Sequence, residues 1–412
     1  MTWLTVAAPS VSVIVLNWNG LEDLKTCLAS LIQLDYPAER LELIVCDNGS
    51  SDGSVQFVRS QFPSVRMVAL DRNYGFAEGN NRAAAEARND WIAFLNNDLR
   101  VPQDWLRSLV APLYLQPDLA SIASRIMTWD GTEVDFVGGS MNFYGHAFQL
   151  NFREHASRHD EARRILFACG GAMLVRREIF LEVGGFDSDF FIYFEDVDLG
   201  WRLNVLGYDV WYTPDATVYH RHHGATKNWI SHGVQVLYDR NALWSIYKCF
   251  DDDNLSRVLP AALMLHNERG LMASGLDTSV YAVGGEPVRQ PTGRAAYMTR
   301  ALAYYRENGL RRTAKRSADI VHGRISGRFV PPSHAVVPLH ALSSFVATSA
   351  FAHKLPQMAL KRRWIQERRR RTDAEIFPMF VEPMRPDFPD PGYAQFLAML
   401  AGVFAIEEQF RS

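Results

Sequence analysis

Short apolar, β-branched stretches alternate with longer helix-like stretches from residue 11 onward. The apolar stretches predict strands at residues 11–16, 41–46, 65–70 and 91–95. Helices are predicted between and after them, at residues 21–34, 54–62, 76–88 and 103–115. Each helix is long enough to form the crossover that two parallel strands require. The pattern therefore predicts an α/β fold, with a mostly parallel sheet that helices cover on both faces.

The character of the sequence changes after about residue 225, where helix-forming residues replace the glycine-punctuated strands. Breaks at Pro260, Pro291, Pro331 and Pro356 divide this second part of the chain. We therefore predict two domains, an α/β domain at residues 1–225 and a mainly helical domain at residues 226–412.

One segment of the helical region, residues 361–371, is densely basic, with the sequence KRRWIQERRRR. A charge run of this kind is most often the solvated face of a helix. The alternative is attraction to an anionic lipid surface or to a lipid-diphosphate acceptor. The helical region as a whole can also bind an acceptor or form an interface in a homo-oligomer, and a merely structural role is the simplest interpretation.

Composition and net charge limit the classes of partner and the cellular compartment that we expect for this protein. The 412 residues include 43 basic and 46 acidic side chains, a net charge of −3, so we expect no nucleic acid partner. The four cysteines lie far apart without a C-x-x-C pair, which argues against a zinc ribbon or a secreted disulfide framework. The first 16 residues carry no basic leader, and the apolar stretch 393–406 is too short to span a bilayer. We predict a cytoplasmic protein, with peripheral contact at the inner face of the cell membrane as an option.

Polar residues follow each of the four predicted strands: NWNG from Asn17, DNGSSD from Asp47, RNYG from Arg72 and NND from Asn96. Turn chemistry explains any one of these signatures. Ligands of parallel sheets bind beyond the carboxyl ends of the strands, so the four together predict a binding crevice. Asp47 is placed to accept the imide N–H of a uracil or thymine, and Asp98 offers an oxygen ligand for Mg²⁺ or Mn²⁺. The chain has neither G-x-G-x-x-G nor a P-loop motif, which weakens dehydrogenase and NTPase interpretations.

A second cluster of polar residues lies downstream, where Glu195, Asp196 and Asp198 open a predicted helix after an aromatic run. Acidic residues favour helix N-termini, which is the purely structural explanation. Apolar surroundings can instead raise the pKa of a carboxyl group and make it a general base. Further on, HRHH begins at His220. Zinc would need further ligands that the spacing does not provide, so we favour a single imidazole that joins Asp98 on a divalent ion, with exposed loop histidines as the alternative.

These motifs resemble the inverting nucleotide-sugar glycosyltransferases of family 2, which have the Rossmann-like GT-A fold. The similarity runs from about Val11 to about Asn241. It rests on motifs in the family's order: VSVIVLNWNG, LIVCDNGSSDGS, NYGFAEGNN, FLNNDLRV, GGAMLVRREIFLEVGGFD, FFIYFEDVDLGWR and VYH. The rhamnosyltransferase-like branch is the most similar, and Arg240-Asn241 is also similar to the galactofuranosyltransferases.

The resemblance implies a role for individual residues. Asp196 matches the catalytic base, with Glu195 or Asp198 to orient it, and Asp198 and Trp201 are expected to contact the acceptor. Asp98 matches the last aspartate of the family's metal-binding D-x-D, and His220 lies where galactofuranosyltransferase relatives carry a metal-ligand histidine. The residues expected to bind the nucleotide are Asn17, Asp47, Asn73 and Asn97. This sequence has Asn96 where a D-x-D would have its first aspartate, so the metal is expected to bind less tightly.

The implied activity is transfer of a sugar from a nucleoside diphosphate donor, with inversion and a divalent Mn or Mg cofactor. We expect dTDP-rhamnose as donor, ahead of UDP-galactofuranose or another UDP-hexose. The acceptor would be a glycan or a lipid-linked compound of polysaccharide or cell-wall synthesis. Two other classes remain open: a non-catalytic sugar- or nucleotide-binding module, and a sugar nucleotidyltransferase, although NWNGLEDL lacks the basic, glycine-rich loop expected of the latter.

Overall fold

A computed structural model describes residues 8–155, 161–222, 231–275 and 338–411, with a few isolated positions between 302 and 318. The chain divides into two compact units. One holds residues 1–269 and 343–412, and the other holds residues 270–342. The domain boundary at residues 225 and 226 stays a prediction.

The first unit contains every strand in the described ranges. The strands are β1 Val11–Asn17, β2 Leu41–Asp47, β3 Arg66–Ala69, β4 Trp91–Asn96, β5 Leu99–Arg100, β6 Ser121–Thr128, β7 Val134–Phe136, β8 Gly139–Met141, β9 Ala147–Gln149, β10 Arg163–Arg164, β11 Ala172–Arg176 and β12 Val210–His220. The helices up to residue 274 are α1 Leu21–Leu31, α2 Ser54–Gln61, α3 Gly75–Glu86, α4 Trp105–Val110, α5 Arg177–Glu182, α6 Glu195–Val205, α7 Ser231–Cys249 and α8 Asp252–Ser274. Later helices are Leu339–His353, Leu355–Glu367, Asp373–Ile376, Pro391–Val403 and Ile406–Gln409.

The predicted parallel sheet is confirmed, in the order β3-β2-β1-β4. Val11, Val13, Ile14 and Val15 are at most 1% exposed, so β1 is buried on both faces. Burial on both faces explains why this strand is an almost continuous apolar run rather than an alternating one. Strands β2 and β3 are added on one side of β1, whereas β4 is added on the other side. Open α/β sheets bind ligands at such a point, where the strand order reverses.

Beyond β4 the sheet becomes mixed, which the sequence did not predict. β11 runs antiparallel to β4 and to β6, and β6 pairs in parallel with β12. β12 is a single strand of 11 residues, and its register against β6 shifts between Tyr212 and Thr217. The far end of β12 pairs antiparallel with β5, so that His220 lies opposite Leu99. This GT-A-like sheet, together with the helical C-terminal region, is the predicted fold class.

The basic segment 361–371 is largely occupied by contacts within the protein. Arg362 donates to the carbonyl oxygens of Tyr247 and Phe250, at 2.7 and 2.6 Å. Arg371 pairs with Asp209 at 2.6 Å, and Lys361 pairs with Asp189 at 2.7 Å. The remaining exposed cations of this segment are Arg363, Arg368 and Arg370. The segment therefore fastens the C-terminal helices to the sheet-bearing part of the unit.

Among the described helices, we find none that is both long and apolar enough to span a membrane.

Candidate active site

A cavity of about 490 Å³ opens where the parallel and mixed parts of the sheet meet. Its walls bring together distant parts of the chain: Asn96, Asp135, Phe148, Cys169, Tyr193, Glu195, Asp196, His220, His222 and Tyr238 are among the lining residues. Both catalytic carboxylates predicted from the sequence and the predicted metal-ligand histidine therefore face one space.

One wall of the cavity carries a group of imidazoles and carboxylates. His220 Nε2 lies 3.1 Å from Asp98 Oδ2, and His220 Nδ1 lies 2.6 Å from Asp135 Oδ2. His222 Nε2 lies 3.3 Å from the same Asp135 oxygen. Burial alone would lower the pKa of His220, but its hydrogen bonds to Asp135 and Asp98 raise that pKa to about 9. Burial opposes ionisation of Asp98, yet the hydrogen bond and charge of His220 hold the pKa of Asp98 below its usual value.

The strand pairings explain how these groups meet. β12 pairs with β5, which places His220 beside the residue that follows Asp98. Asp135 lies in β7, which pairs with β6, the neighbour of β12. Asp135 is 2% exposed, and the sequence analysis missed it because VDF carries no motif. Oxygen and imidazole donors suit a divalent ion, and Asp135, His220 and His222 each offer a ligand atom within 4.8 Å of the others.

The predicted base, Asp196, lies in the first turn of α6 and also lines this cavity. Its Oδ2 accepts a hydrogen bond of 2.9 Å from the N–H of Gly170, and its Oδ1 accepts one of 2.8 Å from Val197. Burial raises the pKa of Asp196 despite these two donors. Burial and the adjacent charge of Asp196 raise the pKa of Glu195 well above its usual value. Such elevated pKa values in a cleft are characteristic of groups that exchange protons.

The loop that leads into α6 has an unusual backbone. Phe191, Tyr193 and Phe194 all have positive φ angles, of 66, 68 and 68°. L-residues rarely adopt this region, so the surrounding structure must hold the loop in place. The Asn241 side chain does so by donating to the carbonyl oxygens of Phe190, Ile192 and Tyr193 at 3.2, 3.1 and 2.7 Å. The resemblance had pointed to Asn241 without giving it a role.

The strand-end residues predicted to bind the nucleotide meet next to one another. Asn17 Nδ2 donates to Asp47 Oδ2 at 3.1 Å, and Asn97 Nδ2 donates to Asn17 Oδ1 at 2.7 Å. The other oxygen of Asp47 accepts the N–H of Ser50 at 2.8 Å. Gly20 belongs to the same arrangement, since a Cβ there would lie 2.2 Å from Asn97 Nδ2. Asn17 and Asp47 are at most 1% exposed and are not among the cavity-lining residues.

Asn73 is hydrogen-bonded to Asn48, and the two side chains hold the loop before α3. Asn48 is not among the residues predicted from the sequence. Asn48 Nδ2 donates to Asn73 Oδ1 at 3.0 Å, and Asn73 Oδ1 also accepts the N–H of Gly75 at 2.8 Å. Asn48 Oδ1 in turn accepts the N–H of Tyr74 at 2.9 Å. The nucleotide-binding assignments of these strand-end residues stay predictions.

The expected acceptor contacts of Asp198 and Trp201 need correction. Asp198 is fully buried, and its two oxygens lie 2.7 Å from Arg202 Nε and 2.6 Å from Lys248 Nζ. Trp201 is 1% exposed and packs edge-on against Phe250, with ring centroids 4.7 Å apart. Helical periodicity explains the error, because residues two and five positions after Asp196 point to other faces of α6. Both side chains stabilise the core instead of lining the cavity.

The chain is similar to known glycosyltransferases. Residues 12–184 match the family model described as Glycosyl transferase family 2. The chain is 28% identical over 246 residues to N-acetylglucosaminyl-diphospho-decaprenol L-rhamnosyltransferase of Mycobacterium tuberculosis, covering 52% of this chain and 80% of that protein. It is 31% identical over 229 residues to O-antigen biosynthesis protein RfbC of Myxococcus xanthus, covering 53% of this chain and 18% of RfbC.

Among solved structures, the chain aligns with mannosyltransferase PcManGT from Pyrobaculum calidifontis, in complex with GDP-Man and Mn²⁺. It aligns with a TM-score of 0.45 and 16% identity, over 84% of this chain and 88% of that one.

The fold and the site define a sugar-transferring enzyme of the GT-A-like class. Residues 12–184 of the chain match glycosyl transferase family 2, the chain is similar to a rhamnosyltransferase, and it is a glycosyltransferase.

Proposed function

We propose that this glycosyltransferase moves L-rhamnose from dTDP-L-rhamnose to a hydroxyl group of a glycan or lipid-linked acceptor, with inversion at the anomeric carbon. The observation that carries the proposal is the single cavity in which the Asp196 carboxylate faces the group formed by His220 and Asp135. An inverting transfer needs these two chemistries on opposite sides of one sugar. The rhamnose assignment is supported by the similarity to the M. tuberculosis relative, which is named as an L-rhamnosyltransferase.

Asp196 acts as the general base that takes the proton of the acceptor hydroxyl as that oxygen attacks the anomeric carbon. The N–H groups of Gly170 and Val197 fix the orientation of its carboxylate. Burial raises its pKa, which strengthens it as a base near neutral pH. Glu195, with its pKa raised further, is the neighbour that tunes this carboxylate.

Asp98 and His220 would hold a divalent ion at the diphosphate end of the donor, and Asp135 would be a further ligand and orient the His220 ring. A divalent ion bound by these groups supplies Lewis-acid stabilisation of the charge that builds up on the leaving nucleoside diphosphate. Mn²⁺ and Mg²⁺ both accept such oxygen donors, and the imidazole favours Mn²⁺. Asn17, Asp47, Asn73 and Asn97 shape the neighbouring pocket for the nucleoside.

Aromatic rings in the cavity wall offer a surface for a sugar acceptor. Tyr193 and Tyr238 stack with ring centroids 4.6 Å apart, and both line the cavity near Asp196. Ring faces of this kind pack against the apolar faces of pyranose rings. The M. tuberculosis relative is named for an N-acetylglucosaminyl-diphospho-decaprenol acceptor, so a lipid-linked glycan is our first choice.

The test is a panel of nucleotide sugars measured by thermal shift with Mn²⁺, followed by turnover of each donor that binds. A bound donor raises the melting temperature by mass action. We expect dTDP-L-rhamnose to give the largest increase in melting temperature. In the turnover assay, we expect it to release dTDP when a glycan acceptor is present. A larger shift with UDP-galactofuranose or another UDP-hexose would contradict the rhamnose assignment.

The same panel separates the two other classes of protein. A non-catalytic binding module would show the thermal shift without turnover under any acceptor. A nucleotidyltransferase would instead release pyrophosphate from dTTP and a sugar 1-phosphate. Either result would overturn the proposed activity.

We also propose that the protein works in the cytoplasm at the inner face of the membrane, where a lipid-linked acceptor would be presented. The exposed Arg363, Arg368 and Arg370 are the cations available for anionic lipid. Sedimentation with liposomes of increasing anionic lipid content tests this contact. Binding that does not respond to lipid charge would contradict it. Sedimentation equilibrium of the same preparation tests the predicted homo-oligomer.

A further inference from the structure

A second group of histidines and carboxylates lies away from the active-site group. It consists of His146 in the turn before β9, Asp239 in α7 and His266 in α8. These side chains come from three separate elements, and their residues are 8, 0 and 2% exposed. One ligand atom from each lies within 4.8 Å of those of the other two.

The spacing of the atoms is unusual for a hydrogen-bonded network. His146 Nε2 lies 3.5 Å from Asp239 Oδ1, and His266 Nδ1 lies 3.8 Å from Asp239 Oδ2. Both distances exceed the 2.7–3.2 Å of an ordinary N–H···O bond. Two ligand atoms that each lie about 2.0–2.1 Å from a tetrahedral Zn²⁺ are roughly 3.3 Å apart. The distance of 3.5 Å between His146 Nε2 and Asp239 Oδ1 is close to this separation.

Three nitrogen atoms of the group lack a hydrogen-bond partner within the described part of the chain. They are His146 Nε2 and both ring nitrogens of His266. Buried polar atoms without partners are rare in folded proteins and call for an explanation. A shared cation explains His146 Nε2 and one nitrogen of His266 at once.

The surrounding residues complete the pattern of a metal site. His146 Nδ1 lies 3.3 Å from Asp387 Oδ2. The Asp387 carboxylate would keep the imidazole proton on Nδ1. The lone pair of Nε2, on the side of Asp239, would then be available to a metal ion. Carboxylates behind ligand histidines do this in many zinc sites. Asp239 is itself oriented by Gln235 Nε2 at 2.6 Å and by Ser344 Oγ at 3.0 Å.

Arg269 is the cation already present beside the group. Its Nη1 lies 3.2 Å from Asp239 Oδ1 and also contacts Asp387. One guanidinium balances one of the two carboxylates, so a net negative charge remains for a metal ion when the imidazoles are neutral. Arg269 therefore has the position of an outer partner that fixes the carboxylates.

We propose that His146, Asp239 and His266 bind a transition-metal ion, with zinc as the ion best suited to two imidazoles and one carboxylate. The site is separate from the Asp98–His220 group and does not depend on the proposed sugar transfer. It ties α7 and α8 to the β8–β9 hairpin, whose residues Ala147 and Phe148 line the active-site cavity. Its role is structural: it holds that wall of the cavity in place.

The probe is ZnCl₂ alone, added to the full chain in a His220→Ala background, which removes a ligand of the active-site group. Metal is counted by mass spectrometry after gel filtration, and the dissociation constant is measured by competition with a chromophoric chelator. We expect one retained equivalent in the parent. Adding His266→Gln should remove it or weaken binding at least 10-fold.

His353→Gln in the same background is the matched control, because His353 is an exposed histidine bound to Ser349. It should leave zinc binding unchanged. If His266→Gln does not fold by circular dichroism, His146→Gln replaces it, and the visible spectrum of bound Co²⁺ in the parent reports the coordination directly. No retained zinc in the parent, or equal binding after loss of either histidine, would overturn the proposal.

Discussion

The side-chain amide of Asn241 donates a 2.7 Å hydrogen bond to the carbonyl oxygen of Tyr193, two residues before Glu195. The same amide also reaches Phe190 and Ile192, so one side chain of α7 fixes the strained loop that positions Asp196. Asn241 is therefore a positioning residue for the proposed general base, although it is not among the cavity-lining residues.

Replacing Asn241 with alanine should lower turnover about 10- to 100-fold, because small displacements of a catalytic group have effects of that size. Donor affinity, measured by calorimetry, should change little. Asn254→Ala is the control, since Asn254 is also a buried amide, hydrogen-bonded to Asp373 at 3.2 Å. It should lose stability but keep its turnover. Equal losses of turnover in the two variants would mean that Asn241 acts only through stability.

Asp196→Asn should reduce turnover by about 10²-fold or more, the usual scale of general-base catalysis, while donor binding is nearly unchanged. Asp215→Asn, at an exposed position in β12, should behave as the unmodified protein does. Initial rates with saturating donor and acceptor provide the measurement. Near-normal turnover in Asp196→Asn would remove this residue from the role of base.

The raised pKa of Asp196 predicts a pH dependence of both rate and stability. The rate should fall as pH falls through this pKa, at a higher pH than for an ordinary aspartate, because the base must be ionised. The native state binds this proton more tightly than the unfolded state, so the contribution of Asp196 to stability is greatest at low pH and is lost as pH rises. The measurements are the pH profile of kcat/KM and the melting temperature, taken between pH 4 and about 9 for the unmodified protein and for Asp196→Asn. If the rate falls only at the pKa of an ordinary aspartate, the claim that burial raises the pKa of Asp196 is contradicted.

Chelation should abolish sugar transfer, and added Mn²⁺ should restore it, because His220 contacts the carboxylates of both Asp98 and Asp135 and all three offer ligand atoms for a divalent ion. Asp135→Asn should raise the Mn²⁺ concentration needed for half-maximal activity at least about 10-fold. Asp130→Asn, at an exposed turn nearby in the sequence, should leave that concentration unchanged. Full activity after exhaustive chelation would discard the metal-binding role.

Lys248→Met should destabilise the fold by about 3–5 kcal/mol, because Lys248 Nζ lies 2.6 Å from both Asp187 and Asp198 in a buried site. Removing this cation takes one buried partner from each carboxylate and leaves Arg202 for Asp198 and Lys361 for Asp187. Lys354 also forms an ion pair, with Asp189 at 2.9 Å, but its side chain is 42% exposed. Lys354→Met should therefore cost less than about 1 kcal/mol in urea unfolding. Similar losses for the two variants would show that burial of the Lys248 pairs is not what matters.

Local sequence patterns were sufficient for the parallel part of the fold. β1, β2 and β4 are apolar runs of strand length with polar turn residues after them, and their predicted bounds differ by about one residue from those observed. The final residues of these strands meet because parallel strands end at a common edge. The same reasoning located Asn17, Asp47 and the segment Asn96 to Asp98.

Local patterns could not give the mixed half of the sheet or the full composition of the site. Asp135 reaches His220 across 85 positions of sequence, and VDF resembles any short buried strand. Asp198 and Asp196 look alike in the sequence, but helical rotation sends Asp198 to Arg202 and Lys248 and leaves Asp196 facing the cavity.

The amino-acid sequence by itself determined the alternation of strands and helices, the polar strand ends and the resemblance to family 2, since each depends on residues close together along the chain. The tertiary structure alone decided that Asp135 joins His220, that Asn241 holds the loop before Asp196, and that His146, Asp239 and His266 share one buried site. These contacts join elements far apart in sequence. Their partners are chosen by packing of the whole unit rather than by local propensity.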